Sequence, residues 1–316
     1  MRWPLFLLAP ACLCNIAQAQ EITFKQAAEV CEKAFPIGNG ELRARVKGRT
    51  GIDPMAIFPK GARHAATPQV PGNALTGPPW ISFSLDWLAV KDAKVTNYQR
   101  TLNLQDGTVV TTFNRGGAGF TWTVFATEEQ DLIVTHLRAD KPGALNFRVS
   151  LSSENPAKSR VEDRRILVFE GKAAGKPFAA RAWVFPMESE VTPGDKEITV
   201  RGEGEALILL AATQDPAEIK KIEERLKPLG FGGDDHPDIF QVWTNLLEHH
   251  TAAHRKAMEG AGEKKQAILN RYVKLAVTSP GQFKDNEPLP ADLENLVFPE
   301  IPDDPAQQGE ILPPTK

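Results

Sequence analysis

The chain has 316 residues, of which 24% are charged and 41% are hydrophobic, and its formal net charge is −3. A chain of this length and composition can bury the core of one large domain or two modest ones. The small net charge gives no electrostatic reason to expect nucleic acid or an anionic membrane surface as a partner.

The first residues are predicted to be a signal peptide. The basic residue Arg2 precedes an apolar run at 5–13, and Ala17-Gln18-Ala19 is a small-residue cleavage pattern. We therefore expect residues 1–19 to be removed and the mature chain to be exported to the periplasm, the cell envelope or the extracellular space. Cys31 would then be the single remaining cysteine, so no internal disulfide is expected. No other apolar run approaches the roughly 20 residues of a membrane span.

Residues 20–213 are predicted to form a mainly β domain, a large antiparallel β-sandwich of the supersandwich-like kind. Runs rich in β-branched and aromatic residues alternate there with Gly, Asp, Asn and Pro turns. In WISFSLDWL, apolar residues from Ile81 to Trp87 alternate with polar ones, as in a half-buried strand. The later predicted strands are GTVVTTFN, AGFTWTVFA, DLIVTHLRA, LNFRVSL, RILVFEG, FAARAWVF, KEITVRG and EALILLAAT. Their short loops favour antiparallel pairing between consecutive strands.

After the last predicted strand the hydrophobic period changes, and residues 214–278 are predicted to be a linker region of two or three α-helices. Asp215 is an N-cap followed by proline at the first helical position of DPAEIKKIEERLKPLG. A second helix is predicted from Pro237, because PDIFQVWTNLLEHHTAAHRKAM carries apolar residues at helical spacing. EKKQAILNRYVKLAV is a third amphipathic stretch. Residues 279–316 are rich in proline and acidic residues, which predicts a disordered tail.

The sequence contains none of the common catalytic or cofactor-binding motifs. It has no nucleophile elbow, no GxxxxGK[ST] loop and no cysteine pair for zinc, and we expect no cofactor. His250 and His254 have the spacing of two zinc ligands on one helix face. The glutamate of a metalloprotease helix is missing between them, and both lie at the edge of the apolar stripe, so packing or capping is favoured over metal binding.

Trp80 is the candidate for contact with a carbohydrate. An aromatic ring can pack against the apolar face of a sugar, and Trp80 follows a Gly-Pro-Pro turn on the polar face of its strand. The alternation of the strands places Trp87 and Trp122 in the core instead, and the helical stripe predicts the same for Trp243. With 40 acidic residues in the chain, no pair of catalytic carboxylates can be selected from the sequence.

One further pattern is an ordered set of segments: AFPIGNGEL, NYQRTLNLQDGTVVTTF, FTWTVFATEEQDLIVTHLRADKPGALNFRVSLSS, and DPAEIKKIEERL followed by FQVWTNLLEHHTAAHRKAM. In this order they resemble the N-terminal region of glycoside hydrolase family 95, the α-L-fucosidase family, up to about Met258. The resemblance implies a large β-sandwich joined by linker helices to a catalytic (α/α) toroid and a smaller β domain. The sequence departs from the family pattern at Cys31, where a tryptophan is usual, and it lacks an Asn-Glu-containing segment that follows.

In that family the general acid and the residues that position the attacking water lie in the toroid. The residues after Met258 leave room for about one more helix of average length, so no catalytic residue carries over. We therefore expect an exported, non-catalytic protein that binds a carbohydrate or a protein partner. Two alternatives stay open: an α-L-fucosidase-related hydrolase that acts with a separately encoded toroid or through a new site, and a vestigial structural domain. We also expect the apolar face of the linker helices to be covered, by the third helix near 267–277 or in a homodimer.

Overall fold

A computed structural model describes residues 21–61, 81–88, 93–173, 175–187, 190–227, 238–261 and 265–277. Within these ranges the chain forms two antiparallel sheets packed face to face, followed by three α-helices. The predicted fold class, a mainly β sandwich with linker helices, is therefore confirmed. The predicted signal peptide and the proline-rich tail lie outside the described residues, and so does Trp80.

The larger sheet is called sheet A. Its strands are β1 (Glu21–Phe24), β6 (Val95–Asn103), β7 (Thr108–Arg115), β8 (Ala118–Ala126), β9 (Ile133–Ala139), β11 (Ala157–Glu162), β12 (Ile166–Ala173), β13 (Lys176–Pro186) and β16 (Glu205–Thr213). Their order across the sheet is β1-β6-β7-β8-β9-β16-β13-β12-β11. Strands that follow one another along the chain pair as hairpins from β6 to β9, as their short loops predict.

The smaller sheet is called sheet B. Its strands are β2 (Phe35–Gly38), β3 (Arg43–Val46), β4 (Ile52–Phe58), β5 (Ile81–Trp87), β10 (Leu145–Ser152), β14 (Glu190–Pro193) and β15 (Glu197–Glu203). Their order across the sheet is β14-β15-β10-β5-β4-β3-β2. The chain passes from one sheet to the other several times, so neither sheet is complete without the segments that build its partner.

The main core lies between the two sheets and follows the alternation of the strands. In β5 the four apolar residues from Ile81 to Trp87 are at most 2% exposed. The ring of Trp87 lies 5.3 Å from Phe113, 5.7 Å from Phe120 and 6.2 Å from Trp122, between centroids. Burial of a large apolar side chain contributes about 1.5–3 kcal/mol, so this aromatic cluster is a principal contact between the sheets.

The helices are α1 (Pro216–Leu226), α2 (Ile239–Met258) and α3 (Lys265–Val277). As predicted, Asp215 caps α1, and its carboxylate accepts a hydrogen bond from the Ala217 amide. Helix α1 and the first half of α2 pack on the outer face of sheet A and form a second core there. None of the described helices combines the length and the hydropathy that a membrane crossing requires.

Helix α3 packs against the β2 edge of the sandwich. Tyr272 is buried in the core between the sheets, and its hydroxyl donates a hydrogen bond of 2.6 Å to the carbonyl of Pro36. The apolar face of α1 and α2 is covered by sheet A rather than by α3. The expectation that the third helix covers this face is therefore wrong, since α3 folds back onto an edge of the sandwich instead.

Candidate functional site

Helix α2 packs on the outer face of sheet A and leaves part of that face uncovered. The flank of the helix and the uncovered strands beside it form a step. Phe240, Trp243 and Leu247 share one flank of the helix, because they are separated by three and four residues. The side chain of Phe240 is 60% exposed, and those of Trp243 and Leu247 are half-buried. This flank gives the step an apolar wall.

The floor of the step is polar and comes from three neighbouring strands. Thr121 and Thr123 on β8, His136 and Arg138 on β9, and Glu205 on β16 alternate with core residues and therefore point outwards. In the sheet register, Thr123 is opposite His136, Thr121 is opposite Arg138, and Arg138 is opposite Glu205. We call the wall and this floor together the α2 cleft.

His136 joins the wall of the α2 cleft to its floor. Its ring is stacked on Trp243 at 4.1 Å between centroids and at an angle of 16°. Its Nε2 lies 2.6 Å from Oε1 of Glu205. Burial lowers the pKa of His136, and the hydrogen bond with Glu205 raises it in part. The contact with Glu205 fixes the imidazole, and the stacked imidazole therefore holds the indole of Trp243 in one orientation.

The remaining polar groups of the floor are open to solvent. Arg138 is opposite Glu205 in the register, but the Glu205 carboxylate bonds to His136, and the guanidinium of Arg138 is exposed. Guanidinium, hydroxyl and carboxylate groups supply the donors and acceptors that hydroxyl-rich ligands need. An apolar aromatic wall beside such a floor suits a sugar, which has one apolar face and many hydroxyls.

His250 and His254 pack α2 against sheet A and the β6–β7 turn. The ring of His250 is stacked on Phe125 at 4.4 Å, and Nε2 of His254 lies 3.0 Å from the carbonyl oxygen of Leu104. Burial, followed by the proximity of His254, lowers the pKa of His250 to about 4. Among the described residues, no group of three potential metal ligands occurs. The geometry gives both histidines a packing role.

The described tryptophans divide between the buried cores and the α2 cleft. Trp87 and Trp122 are 2% and 1% exposed, as their strand positions predict. Trp243 was expected in the buried stripe of its helix, but it is half-buried and lies in the cleft wall. His136 was not predicted as a site residue, since it sits in an apolar strand and its partner Glu205 is 69 residues away.

Asp53 has the raised pKa of a general acid, but a substrate cannot reach its carboxyl group. Burial raises its pKa to about 7, although the backbone amides of Gly48 and Arg49 lower it in part. A glycosidase needs an acid with a raised pKa beside the glycosidic oxygen and a second carboxylate across the cleft. Asp53 is 0% exposed between the sheets, so no substrate oxygen can reach it.

A second depression, of about 350 Å³, lies between α1 and strands β12 and β13. Its polar lining includes Glu170 and Arg181. Arg181 is paired with Glu223, and Glu170 lies 3.1 Å from Arg160. Two of the three charged residues in the lining are therefore already paired, the third being Lys220, and the lining contains no aromatic ring. The α2 cleft is the stronger candidate site for a sugar because it has such a ring.

The comparison with protein families gives one match. Residues 78–218 match the family described as "Glycosyl hydrolase family 65, N-terminal domain". The matched range includes β5 to β16 and the first residues of α1, and it therefore includes the floor of the α2 cleft but not its wall. No protein with a curated description matches the chain in sequence.

Solved structures resemble the chain in fold. A kojibiose phosphorylase from the human microbiome is 11% identical, with a TM-score of 0.50, and the alignment covers 81% of this chain and 41% of that one. A bacterial glucoamylase complexed with acarbose is 9% identical, with a TM-score of 0.44 and coverage of 81% and 43%. An α-mannosidase of family GH92 from Bacteroides thetaiotaomicron is 8% identical, with a TM-score of 0.38 and coverage of 83% and 41%.

At these identities a likeness indicates the fold alone, and the chain spans about two fifths of the length of these structures. The kojibiose phosphorylase shares the sandwich fold. The family model that matches is that of family 65, whereas the sequence segments resembled family 95. Residues 78–218 are therefore similar to a glycoside hydrolase N-terminal domain, and the match does not extend to the rest of the chain.

Proposed function

We propose that the chain is an exported, non-catalytic protein of glycoside hydrolase ancestry that binds carbohydrate in the α2 cleft. The observation that carries the proposal is the stack of Trp243 on His136, which is itself held by Glu205. An aromatic wall fixed in this way loses little conformational freedom when a ligand binds. Export is supported by the N-terminal pattern, which lies outside the described residues.

A non-catalytic role agrees with the acids that line the cleft. Glu205 is the only carboxylate that we assign to it among the described residues, and it is engaged by His136 at 2.6 Å. Hydrolysis of a glycoside uses two carboxyl groups on opposite sides of the scissile bond. A binding site has no such requirement.

The proposal is tested by a glycan array followed by titration of the best glycan. The variant Phe240→Ala removes an exposed ring from the wall without opening the core, and we expect it to weaken binding about tenfold or more, as loss of a sugar-stacking ring does. Val30→Ala is the matched control, because Val30 is another exposed apolar residue, at 46%. A folded protein that binds no glycan, or equal binding by both variants, would overturn the proposal.

The second candidate is an α-L-fucosidase-related hydrolase of family 95 type that acts with a separately encoded toroid. It is favoured by the ordered segments of the sequence that resemble family 95. The purified chain should then release no fucose from a chromogenic fucoside until the second polypeptide is added. Release by the chain alone would place a catalytic site on the sandwich and contradict both candidates.

A further inference from the structure

The floor of the α2 cleft continues across sheet A as two rows of outward-facing residues. The register pairs residues of adjacent strands directly, so that each row runs perpendicular to the strands. The first row comprises Gln99, Thr112, Thr121, Arg138 and Glu205. The second row comprises Thr101, Val110, Thr123 and His136. Both rows begin beside Trp243 and run towards the β1 edge, alongside helix α2, whose C-terminal half packs on Phe125 and on the β6–β7 turn.

The rows are polar and uncovered by any described helix. Apart from the exposed Arg138, and from His136 beneath Trp243, their members are half-exposed. Within the described residues, the hydroxyls of Thr112, Thr121 and Thr123 have no protein partner. With strands about 4.8 Å apart, the first row spans about 19 Å.

The chemistry of the rows indicates one class of occupant. Their charged members, Arg138 and Glu205, balance each other, and the one described cation bonded to the rows, Lys25 at Gln99, is too little positive charge for a polyanion. Val110 is the only aliphatic residue of the two rows, so the surface offers little apolar area to a protein partner. The free hydroxyls of the three threonines and the exposed guanidinium of Arg138, at regular intervals, match a chain of neutral sugars, whose hydroxyls also recur at regular intervals. The amide of Gln99, at the β1 side of the first row, is already bonded to Lys25 and Thr101.

We propose that the two rows extend the α2 cleft into a platform for an extended, neutral oligosaccharide of about four sugar units lying across the strands. This inference rests on the proposed function, since the cleft with Trp243 and Phe240 forms one end of the platform. It adds the class of ligand: the interior of a polysaccharide chain rather than a free mono- or disaccharide.

Titration with the malto-, cello- and manno-oligosaccharide series, each from disaccharide to hexasaccharide, tests the platform. For the series that binds, we expect affinity to rise about tenfold from disaccharide to tetrasaccharide and then to level off. The double variant Thr101→Val and Thr112→Val removes two hydroxyls of the rows that lie outside the α2 cleft, while keeping β-branched side chains. It should lower tetrasaccharide affinity about tenfold and leave disaccharide affinity unchanged.

The control is Thr199→Val, a half-exposed threonine on β15 of sheet B, which should bind like the wild type. An affinity that does not depend on chain length, or a double variant that binds tetrasaccharide normally, would overturn the platform while leaving the proposed function intact. If no series binds and Phe240→Ala has nothing to weaken, both the proposed function and the platform are overturned.

Discussion

At the scale of single residues, Asp53 is the group whose charge the fold disturbs most clearly. The side chain lies between the sheets on β4 and is 0% exposed. Lys47 and Arg49 of the β3–β4 loop, and Tyr98 and Arg100 of β6, are the titratable groups that act on it electrostatically. Their partial compensation does not offset desolvation, which raises the pKa of Asp53 from 3.8 to about 7.

This raised pKa predicts a loss of stability as the pH increases. The folded protein holds the Asp53 proton more tightly than the unfolded chain, so the contribution is complete below about pH 4 and is lost as the pH approaches about 7. Asp53→Asn cannot ionise and should escape this loss, which is on the order of 4 kcal/mol at about 1.4 kcal/mol per pKa unit. Urea denaturation of both proteins across this pH range measures it.

Asp195→Asn is the control for the Asp53 experiment, because Asp195 is exposed in the β14–β15 turn. It should follow the pH dependence of the wild type. If Asp53→Asn loses stability with increasing pH in parallel with the wild type, then Asp53 is solvated in the native protein and its pKa is ordinary.

The residues of the α2 cleft show where sequence reasoning reached its limit. Alternation within one strand is a local signal, and it correctly placed Trp87 and Trp122 in the core. The His136–Glu205 pair depends on β9 and β16 becoming neighbours in sheet A, which no local pattern encodes. The orientation of Trp243 depends in turn on His136. The wrong prediction that Trp243 is buried therefore has the same cause, a contact between distant segments.

At the scale of elements, the β2–β3 hairpin and α3 form one packed unit. The segment FPIG is strand β2, although its proline predicts a break. Pro36 is tolerated because β2 is an edge strand, where a missing N–H need not interrupt a ladder. The Asn39 carboxamide oxygen accepts the Glu41 and Leu42 amides, at 3.0 and 2.8 Å, and shapes the turn.

Gly38 at the end of β2 is required by the closeness of α3. A Cβ atom at this position would overlap the carbonyl oxygen of Ala276, so Gly38→Ala must push the C-terminal end of α3 away from the strand. We expect a loss of about 1–3 kcal/mol, as in other overpacked sites. Hydrogen exchange should show faster opening of α3, while the sheet A amides keep their rates.

Gly51→Ala provides the matched control, since its Cβ would meet no atom within 4 Å. It should unfold like the wild type or be slightly more stable, because alanine restricts the unfolded chain. Equal stability of the Gly38 and Gly51 variants would mean that α3 is not seated on β2.

The strength of the sequence signal also varied among elements. Strands β7 to β10 and β12, β13, β15 and β16 were predicted because each is a continuous apolar or alternating run. Strand β4 was missed because IDPMAIF contains a proline. The structure accommodates Pro54 since β3 pairs only with residues 56–58 of β4, which leaves the Pro54 position without a ladder partner on that side.

At the scale of the whole molecule, one buried carboxylate connects both sheets with helix α1. Asp131, in the β8–β9 turn, lies 2.7 Å from Nζ of Lys60, which follows β4. It accepts a hydrogen bond of 3.3 Å from Asn39 in the β2–β3 turn and lies 3.6 Å from Arg225 on α1. The segment GNGEL, which looked like a family signature in the sequence, is thus part of the contact between sheets A and B.

Asp131→Asn tests how far this cluster makes the molecule unfold as a unit. Asp131 has a positive φ of 56°, which asparagine tolerates well, so the substitution removes the charge without straining the backbone. We expect a loss of about 1.5–3 kcal/mol, the range for hydrogen bonds to charged groups. Glu224→Gln is the control, because its pair with Lys227 is exposed, and such pairs contribute about 0–1 kcal/mol.

In the wild type, tryptophan fluorescence and the helical circular dichroism signal should change together during urea unfolding. Separate transitions in Asp131→Asn would show that this carboxylate couples the helices to the sandwich, whereas stability equal to that of Glu224→Gln would show that the main core alone joins the two sheets.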